Sequence, residues 1–490
     1  MTYRNFLLLA FSLTCLVACG SSGGSGDSPS SLTPSSSSQS SSSSVSVSSS
    51  SSLAASSSSA SSVAVLPGLI PNAARNGSPY CRHASADKGW GWENGASCVV
   101  YQSSADAGVG SFDHCKVGKE QIAYCEQQTQ DWRYTEADSY CIARDFCPGN
   151  SQTTQTELSQ ALVTKSASDK TQAVFSYLHS IWGKKMLSGQ MDLTWDDQID
   201  MRQRVIDVTG KAPALMGYDF MNYGLHHSAS GLQQTEEAIA HWRNGGLVTF
   251  AWHWRDPSKQ TNSFYVNQDG SGETSNFEIP VINGELNKLS EQFTAIEEDV
   301  SLIAGELQKL ADAGVPVLWR PLHEAAGGWF WWGRERSDGV PAAYAQKLLW
   351  RYLYERLTHY YGLDNLIWVW NGQNAIWYPG DDVVDIVSTD IYDGERNTAS
   401  QIEFYELTRS YPQQEKMVAL SENSNIPDPE LMQTDGAWWL WFMVWNDSAV
   451  NTTLDHPDNF WTGEHYNTDA HKKYIYHHEL VVTLDELPSF

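Results

Sequence analysis

From Thr171 onward, apolar β-forming runs alternate with stretches of helical periodicity, and that alternation leaves few folds open. Eight candidate strands stand out, at residues 185–191, 212–220, 247–254, 315–323, 366–371, 384–391, 417–421 and 437–445. Stretches of helical period, such as 301–313 and 342–361, lie between them. Eight such alternations over some 300 residues predict an α/β fold, a (β/α)8 TIM barrel with long loops, assigned to residues 171–490.

A barrel of parallel strands gathers its strand ends at one face, where chemistry is done. Two of the candidate strands run into a glutamate. The string WRPLHEAAGGWFWWG (residues 319–333) carries Glu324 after the fourth strand, and MVALSENS (residues 417–424) carries Glu422 at the end of the seventh. Those two strands lie across the barrel mouth from each other. Two carboxyls facing one bond, beside many aromatic rings, suit cleavage of a glycosidic link. A lone glutamate at a strand end reads more simply as half of a salt bridge. Two of them, each in an aromatic-rich strand end, favour the chemical reading.

Acidic residues number 58 against 31 basic ones, a formal charge of −27. Such a surface repels phosphate backbones and anionic lipid, so nucleic acid is excluded as a partner, whereas a neutral polymer meets no penalty. Of the 21 tryptophans, about half are expected in the core and the rest as platforms for the flat C–H faces of sugars.

The first 18 residues read as an export signal: Arg4 is followed by an apolar stretch, residues 6–18, too short to span a membrane as a helix. The string Leu16-Val17-Ala18-Cys19 resembles a bacterial lipobox. That resemblance implies cleavage before Cys19 and a lipid on its thiol. With Gly20 and Ser21 following, and no Asp, it further implies the outer membrane or cell surface. An ordinary secretory leader is the alternative. Residues 19–70 are serine-rich, cannot build a core and read as a flexible tether. Six cysteines, Cys81, Cys98, Cys115, Cys125, Cys141 and Cys147, cluster in residues 79–148, which predicts a small disulfide-rich β module of open connectivity. No CxxC pair speaks for zinc. Residues 149–170 read as a second linker.

The string GWGWENGASC (residues 89–98) is similar to part of a family-10 carbohydrate-binding module, and CIARDFC (residues 141–147) to its end. The resemblance implies that Trp90 and Trp92 stack on cellulose or another plant cell-wall glycan. About 40 residues separate the two half-motifs, which departs from the family's pattern.

RPLHE followed by GGWFWWG, with SEN on a later strand, resembles glycoside hydrolase family 26, whose main activity is endo-β-1,4-mannanase. The resemblance spans roughly residues 172–471. It implies Glu324 as acid/base and Glu422 as nucleophile of a retaining hydrolase acting on β-mannan. It also implies substrate contacts by His323, by His253 in FAWHW, by Trp329 as a sugar-stacking ring, by Asp390 and by Trp445. Tyr392 in STDIYDG would hydrogen-bond the nucleophile. Ala325–Gly328 after the HE pair rule out an HExxH zinc motif, and no metal or cofactor is called for. Two alternatives stay open: the same barrel acting on mixed-linkage β-glucan or β-1,3-xylan, and a non-catalytic surface protein that binds carbohydrate.

Overall fold

The computed structural model describes residues 157–490 except 195, 197–198, 225–230, 268–271, 448–455 and 457–458, together with the backbone of six short strands between residues 90 and 142. The leader, Cys19 and the serine tract lie outside the described residues, as do the side chains of Trp90, Trp92 and the six clustered cysteines. Of the small module, Trp90–Glu93 pairs antiparallel with Ala96–Val99. A separate four-stranded sheet runs His114–Val117, Glu120–Tyr124, Tyr140–Ile142, Arg133–Tyr134.

The larger domain is built on seven parallel strands that neighbour one another in sequence order: β1 (Gly189–Met191), β2 (Leu215–Asp219), β3 (Leu247–Ala251), β4 (Val317–Arg320), β5 (Leu366–Trp370), β6 (Ile386–Ile391) and β7 (Met417–Asn423). Residues 440–445 close the ring. They bond to β7 through Leu440 N→Val418 O (2.8 Å) and Asn423 N→Met443 O (2.9 Å), and to the β1 side through Leu187 N→Leu440 O and Met191 N→Val444 O, each 2.9 Å. The bridges at this seam are parallel. The backbones run so close that a Cβ on Gly189 would sit 2.1 Å from the carbonyl oxygen of Phe442. The eighth expected strand therefore occupies its place as a run of isolated bridges, and the barrel is complete.

Helices cover the outside. α1 (Glu291–Asp312) illustrates why. Ser290 caps it by accepting from Phe293 N at 3.1 Å. Phe293, Ile296, Val300, Ile303, Ala304, Leu307 and Leu310 recur at helical spacing, and all are buried. The expected helix over 301–313 thus begins a full ten residues earlier, in the long segment between β3 and β4. α2 (Ala342–Tyr354) continues as a π-helical turn to Tyr360. Between β5 and β6, only 3-10 turns occur among the described residues, at Ala375–Trp377 and Asp381–Val383. The helix that precedes the barrel, Asp169–Ile181, packs against β5 instead.

The linker expected over residues 149–170 is not a free spacer in its described part. Leu162, Thr164 and Ala167 are buried, Val163 N donates to Asp385 Oδ1 at 2.8 Å, and Tyr354 Oη donates to Val163 O at 2.8 Å. Its polar composition hides three buried anchoring residues, which is why it reads as spacer in the sequence. Among the described tryptophans twelve are buried, from Trp252 and Trp254 to Trp441, Trp445 and Trp461, in keeping with about half of the 21 lying in the core, and only Trp329 is exposed.

Candidate active site

The site forms where β4 and β7 end. Pro321 cannot donate to the ladder, so β4 stops at Arg320. The chain then turns sharply: Leu322 and Glu324 both adopt left-handed backbone, φ 52° and 53°. Side-chain-bearing residues rarely hold that conformation without compensation from their surroundings. Here Glu324 N is tied to Asn371 O at the end of β5 (2.7 Å). The turn is packed so tightly that a Cβ on Gly333 would lie 2.0 Å from Ala325 O. The result aims Glu324 inward over the barrel mouth.

Glu422 lies near the end of β7, directly after an irregularity that leaves Ser421 unmatched in the ladder. A register shift between Thr389 and Asp390 sets Asp390 opposite Glu422. Bulges of this kind re-aim side chains beside functional sites. One oxygen from each of Glu324, Asp390 and Glu422 lies within 4.8 Å of the other two.

The two glutamates have unlike surroundings. Glu422 is 3% exposed. It accepts from Tyr392 Oη at 2.7 Å on Oε2 and pairs with Arg320 Nη2 at 2.7 Å on Oε1. Both neighbours favour the carboxylate form. Arg320 is itself buried; the charges of Glu422 and Asp390 outweigh its burial and hold it protonated. Glu324 is partly exposed, with Trp329 Nε1 donating to Oε2 (3.0 Å) and Gln373 Nε2 to Oε1 (3.3 Å). Burial, then the charge of Glu422, push its pKa up to about 7. Asp390 accepts from Asn371 Nδ2 at 2.6 Å. Burial and the Glu422 charge raise its pKa well above the ordinary carboxylate value. Two carboxyls in unlike surroundings, one paired with a guanidinium and a phenol and one with its pKa raised, suit acid–nucleophile chemistry.

The structure brings Glu324, Glu422, His253, His323, Trp329, Asp390, Tyr392 and Trp445 to this one mouth. Trp329 is 38% exposed and anchored by its bond to Glu324. The insertion after β3 grips its segment: Val266 N donates to Trp329 O (2.8 Å) and Trp331 N to Phe264 O (3.1 Å). Trp445 is 9% exposed, its ring 5.9 Å from that of His253. Asp390, expected as a sugar contact, is engaged by protein groups: Asn371, and Arg320 at 3.7 Å. The three carboxylates could surround a cation, but Arg320, Tyr392, Asn371 and Trp329 already serve them.

Sequence reasoning missed Arg320, Asn371, Gln373 and Asp219. Arg320 had a signal: it is the one charged residue in β4 (VLWR). Replacing it leaves two buried carboxylates without their cation. Arg320→Met is expected to cost about 3–5 kcal/mol, read as a lowered midpoint in thermal unfolding.

Residues 163–486 match the family described as glycosyl hydrolase family 26. The chain belongs to that family. It is 37% identical over 344 residues to a mannan endo-1,4-beta-mannosidase of Thermothelomyces thermophilus, covering 68% of this chain and 64% of the relative. A mannan endo-1,4-beta-mannosidase A of Piromyces sp is 32% identical, over 73% of this chain and 55% of the relative. The chain thus spans less than two thirds of these relatives. Among solved structures, a beta-mannanase from a symbiotic protist of the termite Reticulitermes speratus, complexed with gluco-manno-oligosaccharide, aligns with TM-score 0.58 at 32% identity, covering 69% of this chain and 100% of that one. The Podospora anserina GH26-CBM35 beta-(1,4)-mannanase aligns with TM-score 0.57 at 36% identity, over 68% and 69%. Residues 71–100 match a second family, CBM_10, described as a cellulose or protein binding domain. That match takes in the GWGWENGASC string and leaves residues 141–147 outside.

Proposed function

We propose that the barrel is a retaining endo-β-1,4-mannanase. The observation that carries this is the carboxyl cluster: oxygens of Glu324 and Glu422 within 4.8 Å, in opposite electrostatic settings. Retaining glycosidases hold their two carboxyls about 5–5.5 Å apart, and inverting ones roughly 6.5–9.5 Å, to admit a water. Glu422 attacks the anomeric carbon while Glu324 gives its proton to the leaving oxygen. A covalent glycosyl-enzyme forms. Glu324, now a base, takes a proton from water, which attacks the same carbon and restores its configuration. Arg320 and Tyr392 hold the nucleophile in place. His253, His323, Trp329 and Trp445 line the sugar site. The mannosidase names of the relatives and the gluco-manno-oligosaccharide held by a structural neighbour support mannan as the substrate class.

The rest of the chain fits a surface-held enzyme. In this reading residues 1–18 direct export, Cys19 carries a lipid, residues 19–70 tether, and the module begun by the 71–100 match docks on plant cell-wall glycan through Trp90 and Trp92.

Tyr392→Phe is expected to lower kcat about tenfold, the worth of a hydrogen bond to a charged group, and to move the acidic limb of the pH–rate profile upward. A variant whose profile overlays the wild type would remove Tyr392 from the nucleophile's support.

The deciding test is product analysis on the full chain given galactomannan, mixed-linkage glucan and β-1,3-xylan side by side, with the anomer of the first product followed by NMR. Short manno-oligosaccharides with β configuration from galactomannan alone are expected. Release only from the glucan or the xylan would overturn the substrate. An α first product would overturn the mechanism.

A further inference from the structure

Three adjacent strands each deliver one member of a buried chain that ends beside the nucleophile. β2 ends in Asp219, which has no exposed surface. His253 follows β3 and His323 follows β4. Asp219 Oδ1 accepts two backbone N–H groups, from Met221 (2.8 Å) and His253 (3.0 Å). Its other oxygen, Oδ2, bonds the ring Nδ1 of His253. On the far side of that ring, His253 Nε2 meets His323 Nε2 at 3.2 Å, with the rings at 75°. His323 Nε2 in turn lies 4.0 Å from Glu422 Oε1. Phe264, Phe330 and Trp445 wall in the His253 ring.

We infer that Asp219 is a positioning residue for the reaction: it fixes the proton on His253 Nδ1 and, through the paired Nε2 atoms, the tautomer that His323 presents to the sugar beside Glu422. The argument is one of donors and acceptors. A carboxylate can only accept, so His253 Nδ1 must carry a proton. Two Nε2 atoms in contact can share only one. When His253 is charged, its Nε2–H donates and His323 must carry its own proton on Nδ1. When His253 is neutral, His323 must donate from Nε2. The partner on the second nitrogen thus sets what the first can do. The charged groups facing His253 are Asp219 from β2, Arg320 from β4, Glu324 beyond it and Glu422 from β7. Burial opposes its charge, but the charge and hydrogen bond of Asp219 outweigh that and raise its pKa. Burial and the positive charges of His253 and Arg320 push His323 well down, so it is neutral.

Asp219→Asn tests this with little change of shape. The two backbone N–H groups claim the amide oxygen, so the NH2 group must face His253 Nδ1 and donate to it, which favours loss of the Nδ1 proton to solvent. His253 then becomes a neutral Nε2–H tautomer, and the positive charge beside Glu422 is gone. The variant is expected to lose about 100-fold in kcat with KM within about threefold of wild type, and its acidic limb should move to higher pH. A profile superimposable on the wild type would overturn the inference.

A second measurement does not depend on the variant's folding. The wild-type full chain, labelled with 15N-histidine, is titrated by NMR, with the His253 signals assigned by their absence in His253→Gln. His253 is expected to be protonated on Nδ1 throughout and to titrate above the ordinary histidine midpoint of about 6.5. An unprotonated Nδ1, or an ordinary midpoint, would overturn the inference. The kinetic arm rests on the proposed hydrolase function, whereas the NMR arm does not. A wild type that cleaves no β-glycan would sink that function and leave the protonation of His253 to be read directly.

Discussion

Glu422→Gln is expected to abolish turnover, with kcat lowered about 10⁴-fold or more, while the barrel still folds. Tyr392 Oη and Arg320 sit on different oxygens of Glu422, each 2.7 Å away. The amide keeps its oxygen for Arg320 and turns its NH2 to Tyr392 Oη, which can accept, so the buried cation retains a partner. What is lost is the electron pair that attacks the anomeric carbon, and the loss of a covalent nucleophile is of this size or greater. The stronger form of the test is chemical. In Glu422→Ala, the space vacated by the carboxylate admits azide, which attacks from the same face as Glu422. On an activated aryl β-mannoside it should give the α-mannosyl azide, with inverted configuration. Near wild-type turnover in the Gln variant, or a β azide from the Ala variant, would place the nucleophile elsewhere.

Glu324→Gln should separate substrates by their leaving groups. Mannan releases a sugar alkoxide, which needs a proton, so kcat/KM on mannan is expected to fall about 10³-fold, within the usual range for general acid catalysis. An aryl glycoside with a dinitrophenolate leaving group needs no proton, and its kcat/KM should fall less than about tenfold. The pH dependence gives an independent reading. Glu324 must be protonated to act as the acid, and its pKa lies at about 7. The wild-type rate should therefore decline as pH rises through about 7, and that basic limb should vanish from the residual activity of the variant. Its persistence would assign the limb to another group, and equal losses on both substrates would remove Glu324 from the acid role.

Much of this site was legible because its chemistry sits in short strings. RPLHE and SEN each hold a strand end and its glutamate together, so the apolar run and the motif point to the same place. The residues that were not legible act through distance in sequence. From the end of β5, Asn371 serves Asp390 and Gln373 serves Glu324, and Asp219 serves His253 from 34 residues upstream. Nothing in DFMNYG around Asp219 separates it from any strand-end acid. The barrel's outline shows the same division. The eight apolar runs could be counted, but the absence of an α-helix between β5 and β6 could not, because the helix packed on β5 comes from before the first strand. The module's strands likewise say nothing of its cysteine pairing.

The seam of the barrel joins residues that are far apart in the chain. Gln190 Nε2 bonds the carbonyl of Val444 across a separation of 254 residues, and Val481–Val482 lies alongside Met186–Leu187 below it. A nascent chain therefore carries two raw sheet edges, β1 and β7, until residue 445 has emerged. Contacts of such long range form late and slowly. The ring cannot shut before its last segment is made, so a chain cut short before its last sixty residues is expected to stay an open, protease-sensitive sheet.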